Sequence, residues 1–317
     1  MCVPRPGPPV RAFRIAYDGR PFSGFQRQPD VPTVEDVIFD ALDSLGVADL
    51  PRESGGRRSR PPGYAAAGRT DAGVSAAAQT IALEAPEWLT PRAFNGHLPK
   101  HVRAWAAAEV PDDFHARHDV SDRIYRYHLY APTDEHAGSD TRTDIDRSPP
   151  SAPSVDDDRV HAALDRLSGD HDFHNLTPDD TGTERTLAAT ARREGDLLVI
   201  RTRADGYPRE FVRRLVTLVR AVGTGNAPLS KIDRVLGADA LSGPEGVGPA
   251  PATPLVLWNV EYESTATRSD HTVRFEIDRE AVESASAAFG EEYVEARHAA
   301  AAIGAVRDRV ETDPVGE

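Results

Sequence analysis

Two kinds of hydrophobic spacing alternate along the N-terminal third of the chain. Residues 11–17 alternate apolar and polar side chains, which predicts a strand. After Thr33, a good helix N-cap residue, apolar side chains recur every three or four positions from Val34 to Leu45, which predicts a helix that ends at Gly46. Further strands are predicted over 64–67, 79–84 and 102–109, with a short helix opened by Thr90-Pro91 before the last of them. The predicted order in residues 11–109 is therefore β-α-β-β-α-β.

The second half of the chain repeats this order without clear sequence identity to the first. Strands are predicted over 123–130, 187–193, 197–203 and 255–262. Amphipathic helices are predicted around Val160–Leu167 and over Phe211–Val222. The repeat predicts an α+β protein with two ferredoxin-like halves and a central cleft between them.

Shifts in composition divide the chain further. We predict a flexible N-terminus (1–10), an N-terminal α/β half (11–110), a C-terminal α/β half (111–264) and a helical appendage (265–317). In the appendage, 271–277 alternates as a possible strand, and 279–310 is a helix rich in Ala, Glu and Arg. Segments 51–62 and 134–158 are interpreted as inserted loops. The arginines of the first loop leave RNA contact open, although a solvated insertion is the favoured interpretation.

The charge balance sets limits on compartment and partner. The net charge is −14, and only Lys100 and Lys231 are lysines among 37 basic residues. So many carboxylates favour adaptation to high salt, with a codon bias toward arginine as the alternative. The single cysteine, Cys2, excludes an internal disulfide and a cysteine-based zinc site. There is no apolar run long enough to span a membrane and no secretory signal, so we expect a cytoplasmic protein. The arginines can still line one RNA-binding cleft inside an acidic surface.

One short segment carries the strongest candidate chemistry. In Ala67–Val74, Gly68 and Gly73 bracket Arg69-Thr70-Asp71 just after a predicted strand. Glycines allow a close approach of backbone and ligand, and loops on a rigid scaffold often hold functional groups. An aspartate in such a loop is more often a structural turn residue that binds local amides. Spacing alone therefore leaves both interpretations of Asp71 open.

This segment closely resembles the active-site motif of the TruA family of tRNA pseudouridine synthases. Four further regions agree with that family in order and spacing. They are Tyr17-Asp18-Gly19 with Phe22–Gln28 and Thr33-Val34-Glu35; Asn95–Pro99; Asp113–Arg117 with Tyr125-Arg126-Tyr127; and Phe211–Arg214. The chain departs from the family at three places: Ser75 replaces a usual histidine, Tyr207–Glu210 replaces a segment rich in aromatic residues or histidine, and Pro254–Leu257 replaces Gly-Leu-x-Leu. The first two departures put some RNA contacts in question.

The resemblance implies a function and a set of site residues. It implies isomerisation of uridine to pseudouridine in the tRNA anticodon stem-loop, at positions 38 to 40, without a cofactor or a metal, by a homodimer. Asp71 is implied as the catalytic carboxylate, acting as a nucleophile or as the base that starts glycal formation. Arg213 is implied to pair with Asp71, and Tyr125 to stack on the flipped base or to move a proton. Implied substrate contacts, besides Tyr125, are Arg69, Gln26, Arg27 and Arg117.

Three other interpretations are weaker. The spacings His115-x-x-His118 and His171-x-x-His174 are compatible with a metal, but no glutamate follows as in a metalloprotease helix. A nucleotide hydrolase built on Asp71 would need a metal or a positioned water, and no second carboxylate stands near Asp71 in sequence. A tRNA-binding factor without catalysis would have no evident need for Asp71, Tyr125 and Arg213 together.

Overall fold

The computed structural model of the chain describes residues 8–47, 50–51, 58–132, 154–263 and 273–312. Its strands are β1 (Val10–Tyr17), β2 (Ala65–Ala66), β3 (Ser75–Glu84), β4 (Val102–Glu109), β5 (Asp122–Tyr130), β6 (Gly169–Asp172), β7 (Glu184–Glu194), β8 (Leu197–Ala204), β9 (Leu255–Glu261) and β10 (Glu276–Ile277). Its α-helices are α1 (Val34–Ser44), α2 (Pro91–Asn95), α3 (Asp157–Leu167), α4 (Phe211–Gly223), α5 (Ser230–Val235) and α6 (Arg279–Thr312).

The described strands form one mixed sheet that runs through both halves of the chain. Its order is β10-β4-β1-β3-β9-β5-β8-β7-β6, with the short β2 paired to β3. The halves meet where β3 and β9 pair in parallel, with Ser75 opposite Val256 and Ala76 opposite Leu257. The segment that contains Asp71 therefore lies directly before a strand at the seam of the sheet.

The element order agrees with the sequence in the N-terminal half and is richer in the C-terminal half. Residues 10–109 follow the predicted order β-α-β-β-α-β. The C-terminal half adds β6 and α5, which the sequence analysis did not predict. The residues of β6, Gly-Asp-His-Asp, lack β propensity, and this strand exists because its backbone pairs with residues 184–187 of β7. The division into two ferredoxin-like halves stays a prediction.

Helix α1 shows why the sequence folds as its periodicity indicates. The Thr33 Oγ1 accepts a hydrogen bond from the Asp36 amide at 3.3 Å, which caps the first turn. The apolar face that follows is buried against the sheet core, with Ile38 and Leu42 fully enclosed. Gly46 ends the helix region with a φ of 67°, a conformation that glycine adopts without strain.

The C-terminal appendage is attached to the N-terminal half. Strand β10 pairs with β4. In the first half of α6, one side of the helix is buried, and it carries Ala281, Ala285 and Ala288. Further along α6, the Glu292 carboxylate forms an ion pair with the Lys100 Nζ at 2.7 Å and lies 3.5 Å from the Arg20 Nη2. No helix among the described residues is long and apolar enough to cross a membrane. Residues 1–7, residues 52–57 of the first inserted segment and residues 134–153 of the second lie outside the described ranges.

Candidate active site

The segment that carries Asp71 is held by the glycine-rich segment that follows β1. The Phe25 amide donates to the Thr70 carbonyl at 3.0 Å, and the Tyr17 and Thr70 hydroxyls are hydrogen-bonded at 2.8 Å. At the other end, the Gly73 amide donates to the Phe22 carbonyl at 3.3 Å. Two segments that the sequence places about fifty residues apart therefore form one rigid platform beneath Asp71.

Gly19 is the closest point of this contact. A Cβ at Gly19 would lie 2.1 Å from the Val74 carbonyl oxygen, which is backbone and has no rotamer to change. We expect Gly19→Ala to force the two segments apart, with a loss of about 1 to 3 kcal/mol in the free energy of unfolding and a fall in turnover. Denaturant unfolding and initial-rate measurements check this. Gly248→Ala is the control, since no atom lies within 4 Å of its Cβ position, and equal effects from both changes would contradict the expectation.

Asp71 meets Arg213 across the cleft, as the resemblance implied. The Asp71 Oδ2 accepts a hydrogen bond and ion pair from the Arg213 Nη1 at 3.2 Å. The Arg213 Nε donates to the Ala250 carbonyl at 2.7 Å, which orients the guanidinium. The side chain of Asp71 is 40% exposed whereas that of Arg213 is 17% exposed. A fixed, largely buried cation therefore holds an accessible carboxylate.

Tyr125 stands on β5 within the same cleft. Its ring lies 4.9 Å from that of Tyr207, nearly perpendicular at 80°, and the Tyr207 ring in turn contacts Phe211 at 5.9 Å. Burial raises the pKa of Tyr125 to about 12; Arg123 opposes this rise and Asp71 adds to it. The phenol is therefore held neutral, and its ring forms part of an aromatic wall of the cleft.

The raised pKa of Tyr125 predicts a pH dependence of stability. The folded pKa is about 12 against an ordinary value of 10.0, so folding favours the neutral phenol. This contribution is fully present below pH 10 and is lost as pH rises toward 12. We expect the Tyr125→Phe variant to lose less of its free energy of unfolding than wild type does when the pH is raised above 10. Denaturant midpoints measured at pH 8 and above pH 10 check this, and parallel losses in both proteins would contradict it.

The cleft around Asp71 has a volume of about 890 Å³ and is rich in cations. The cationic or imidazole side chains that line it are Arg60, Arg69, Arg117, Arg123, Arg185, Arg209, Arg213, His115 and His118. Gln26 also lines the cleft, so Arg69, Gln26 and Arg117 lie where the sequence analysis expected substrate contacts. Four carboxylates also line the cleft, so its seven arginines exceed them by three, in a protein with a net charge of −14. These carboxylates belong to Glu35, Asp71, Asp179 and Glu210.

Arg27 is the one expected substrate contact that the structure does not bring to the cleft. Its guanidinium lies 4.7 Å from the Phe39 ring centre and donates to the Arg58 carbonyl. Its amide donates to the Glu35 carboxylate at 3.0 Å. These contacts indicate a structural role at the start of α1.

The departures from the family pattern divide into two kinds. The Ser75 hydroxyl accepts from the Gly19 amide at 3.0 Å, and Ser75 is not among the residues that line the cleft, so this replacement serves the platform. Pro208 and Arg209 do line the cleft. The Arg209 amide donates to the Asp179 carboxylate at 2.8 Å, which fixes this part of the wall.

Several cleft residues escaped the sequence analysis. Arg60, at the end of the segment interpreted as a solvated insertion, lines the cleft and stacks near Tyr64 at 5.4 Å. Tyr207 was noted only as part of a departure, although it forms the wall beside Tyr125. Arg123 precedes Tyr125 by two residues, and the alternation of a strand could have placed both on the same face. The rings of His115 and His118 lie 4.2 Å apart, tilted by 42°, on the cleft wall, whereas their spacing was considered only for a metal.

The sequence is also similar to proteins of known family. The sequence profile of a family described as tRNA pseudouridine synthase matches residues 163–263. A tRNA pseudouridine synthase A from Natronomonas pharaonis is 54% identical over 280 residues, which covers 88% of this chain and 92% of that protein. The chain belongs to the TruA family of tRNA pseudouridine synthases.

Other relatives within this family extend the likeness beyond one genus. A tRNA pseudouridine synthase A from Haloarcula marismortui is 54% identical over 82% of this chain and 88% of its own length. One from Methanocella arvoryzae is 34% identical over 83% of this chain and 88% of its own length. The nearer of these relatives come from halophilic archaea, in accord with the acidic composition. The TruA family consists of isomerases that convert uridine to pseudouridine, so this chain is an enzyme of that class.

Proposed function

We propose that this enzyme isomerises uridines in the anticodon stem-loop of tRNA, at positions 38 to 40, with Asp71 as the catalytic carboxylate. The observation that carries the proposal is the Asp71–Arg213 pair at 3.2 Å in a cationic cleft that also contains Tyr125. A cleft of about 890 Å³ has room for a nucleotide that is flipped out of its stack. Asp71 is the accessible member of the pair, so it can reach a ribose carbon.

The reaction needs a group that detaches the base and returns it. The N1–C1′ bond of uridine breaks and a C5–C1′ bond forms; C5 loses its proton and N1 gains one, so no atom is added or lost. Asp71 can attack C1′ and later leave it, or remove the C2′ proton and so release the base with a glycal. In both routes Arg213 stabilises the free carboxylate before the step and again when it is regenerated, because its guanidinium is already oriented by Ala250.

Tyr125 fits stacking on the detached base better than proton transfer. A phenol with a pKa of about 12 is a reluctant proton donor at neutral pH. Its ring lies nearly perpendicular to that of Tyr207 and lines the cleft. Arg69, Gln26 and Arg117 are proposed to contact the RNA around the flipped nucleotide.

The remaining expectations are proposals of the same kind. The protein is proposed to act in the cytoplasm as a homodimer, so that one tRNA contacts both subunits. The proposed architecture is two ferredoxin-like halves, 11–110 and 111–264, preceded by residues 1–10 and followed by the appendage 265–317. The parallel seam of β3 and β9 between the halves supports this division.

The test is product mapping on a tRNA transcript at high salt. Carbodiimide treatment followed by primer extension should locate pseudouridine at the anticodon stem-loop uridines, with the mass of the RNA unchanged. A transcript with cytidine in place of those uridines is the control and should give no signal there. Pseudouridine elsewhere would overturn the assigned position, and release of free base would indicate hydrolysis instead of isomerisation.

A further inference from the structure

One arginine in the cleft has few N–H groups left to bind RNA phosphates, because most of them already donate hydrogen bonds to backbone carbonyls of the protein. Arg123 on β5 donates to the Ala67 carbonyl from Nε at 3.0 Å and from Nη2 at 2.6 Å. The same Nη2 donates to the Arg117 carbonyl at 3.1 Å, and Nη1 donates to the Asp205 carbonyl. Four hydrogen bonds from a group with five N–H donors leave little for a substrate.

The three carbonyls belong to the three segments that build the cleft around Asp71. Ala67 is the residue from which the Gly68–Gly73 segment departs, and its own amide is fixed to the Thr80 carbonyl at 2.8 Å. Arg117 lies in the connection between β4 and β5, which places His115 and His118 on the cleft wall. Asp205 precedes Tyr207, whose hydroxyl donates back to the Arg123 carbonyl at 3.2 Å. Arg123 therefore joins parts of the N-terminal half, the connection to β5 and the C-terminal half.

The electrostatic setting agrees with a structural clamp and not with an ion pair. Among the described residues, no carboxylate lies within 4.0 Å of the Arg123 guanidinium, whereas Arg213 faces Asp71. Burial lowers the pKa of Arg123, so the protein accepts a desolvated cation here. Three carbonyl dipoles converging on one guanidinium compensate that loss of hydration.

We infer that Arg123 is a positioning residue: it fixes the segment that carries Asp71 relative to Tyr125 without contacting the RNA. The inference rests on the proposed role of Asp71. Its physical basis is that small displacements of a reacting group cost large factors in rate, up to about 100-fold for 1 Å. Lysine cannot substitute, because one ammonium cannot reach three separated carbonyls as a planar guanidinium does.

The test compares Arg123→Ala and Arg123→Lys with two other arginine changes. Arg117→Gln removes a proposed RNA contact, and Arg126→Ala removes an arginine next along β5 that packs on Trp258 instead of lining the cleft. For both Arg123 variants we expect turnover to fall about 100-fold. Arg123→Lys keeps the cleft charge, so tRNA affinity and its salt dependence should stay as in wild type, and Arg123→Ala should weaken binding far less than it lowers turnover. For Arg117→Gln we expect weaker binding and a salt slope reduced by about one. Arg126→Ala should leave turnover unchanged.

Two further readouts separate positioning from loss of folding and from the reaction itself. Guanidinium ion should restore part of the turnover of Arg123→Ala, whereas potassium chloride at equal concentration should not. Hydrogen exchange of the protein alone should be faster at the amides of Gly73 and Val74 in Arg123→Ala and unchanged in Arg126→Ala. This measurement holds even if the proposed reaction were wrong. A reduced salt slope with normal turnover, or unchanged exchange at those amides, would overturn the inference.

Discussion

Asp71→Asn is expected to abolish pseudouridine formation while leaving the fold and tRNA binding intact. Asparagine keeps the shape of the side chain and can still accept a hydrogen bond from Arg213, but it is neither a nucleophile nor a base. Removing an essential nucleophile typically lowers turnover by at least about 10⁴-fold. The 40% exposure of Asp71 means that little folding energy depends on its charge. Carbodiimide mapping under single-turnover conditions measures the effect.

Binding provides the internal control for this change. The cleft attracts phosphates with its arginines, and Asp71 adds a negative charge that opposes them. We therefore expect Asp71→Asn to bind tRNA as tightly as wild type or more tightly. Asp179→Asn is the matched variant: it removes a second cleft carboxylate, one that holds the Arg209 amide, and should keep most of the turnover. If wild type and Asp71→Asn formed equal amounts of pseudouridine, the proposed mechanism would be wrong.

The sequence predicted the elements around Asp71 well because they obey local rules. The cap at Thr33, the alternation in β1 and β4 and the apolar face of α4 all depend on neighbours within a few positions. The strand β6 could not be predicted in this way, since its polar residues form a strand only through pairing with β7. Helix α5 is six residues long, which is too short for its periodicity to be recognised.

The same distinction applies to the site. Motif resemblance supplied Asp71, Tyr125 and Arg213, and the structure brings all three to one cleft. It could not supply the use of each arginine, because a guanidinium that faces a phosphate and one that clamps carbonyls look alike in a sequence. Arg27 lies within a recognised motif and Arg123 lies two residues before another, yet the hydrogen bonds of both are to the protein. In an acidic protein with few lysines, arginine carries both duties.

Arg213 should show how much of the rate depends on the ion pair. Arg213→Gln removes the charge that faces Asp71, and we expect turnover to fall about 10² to 10³-fold, as when one fixed electrostatic donor is lost from an active site. Arg213→Lys keeps a charge but cannot bind both the Ala250 carbonyl and Asp71 with the same geometry, so it should recover only part of this loss. Single-turnover rates with saturating tRNA measure both.

A change at the neighbouring arginine on α4, Arg214, distinguishes the effect of Arg213 on the reaction from an effect on the stability of the helix. Arg214 pairs with Glu210 at 2.7 Å and donates to the Val247 carbonyl at 2.7 Å, and it is not among the residues that line the cleft. Arg214→Gln should therefore lower the denaturant midpoint as much as Arg213→Gln or more, while turnover stays near that of wild type. If the two glutamine variants lost turnover equally, the Asp71–Arg213 contact would be structural, and the carboxylate would have to be poised by the cleft as a whole.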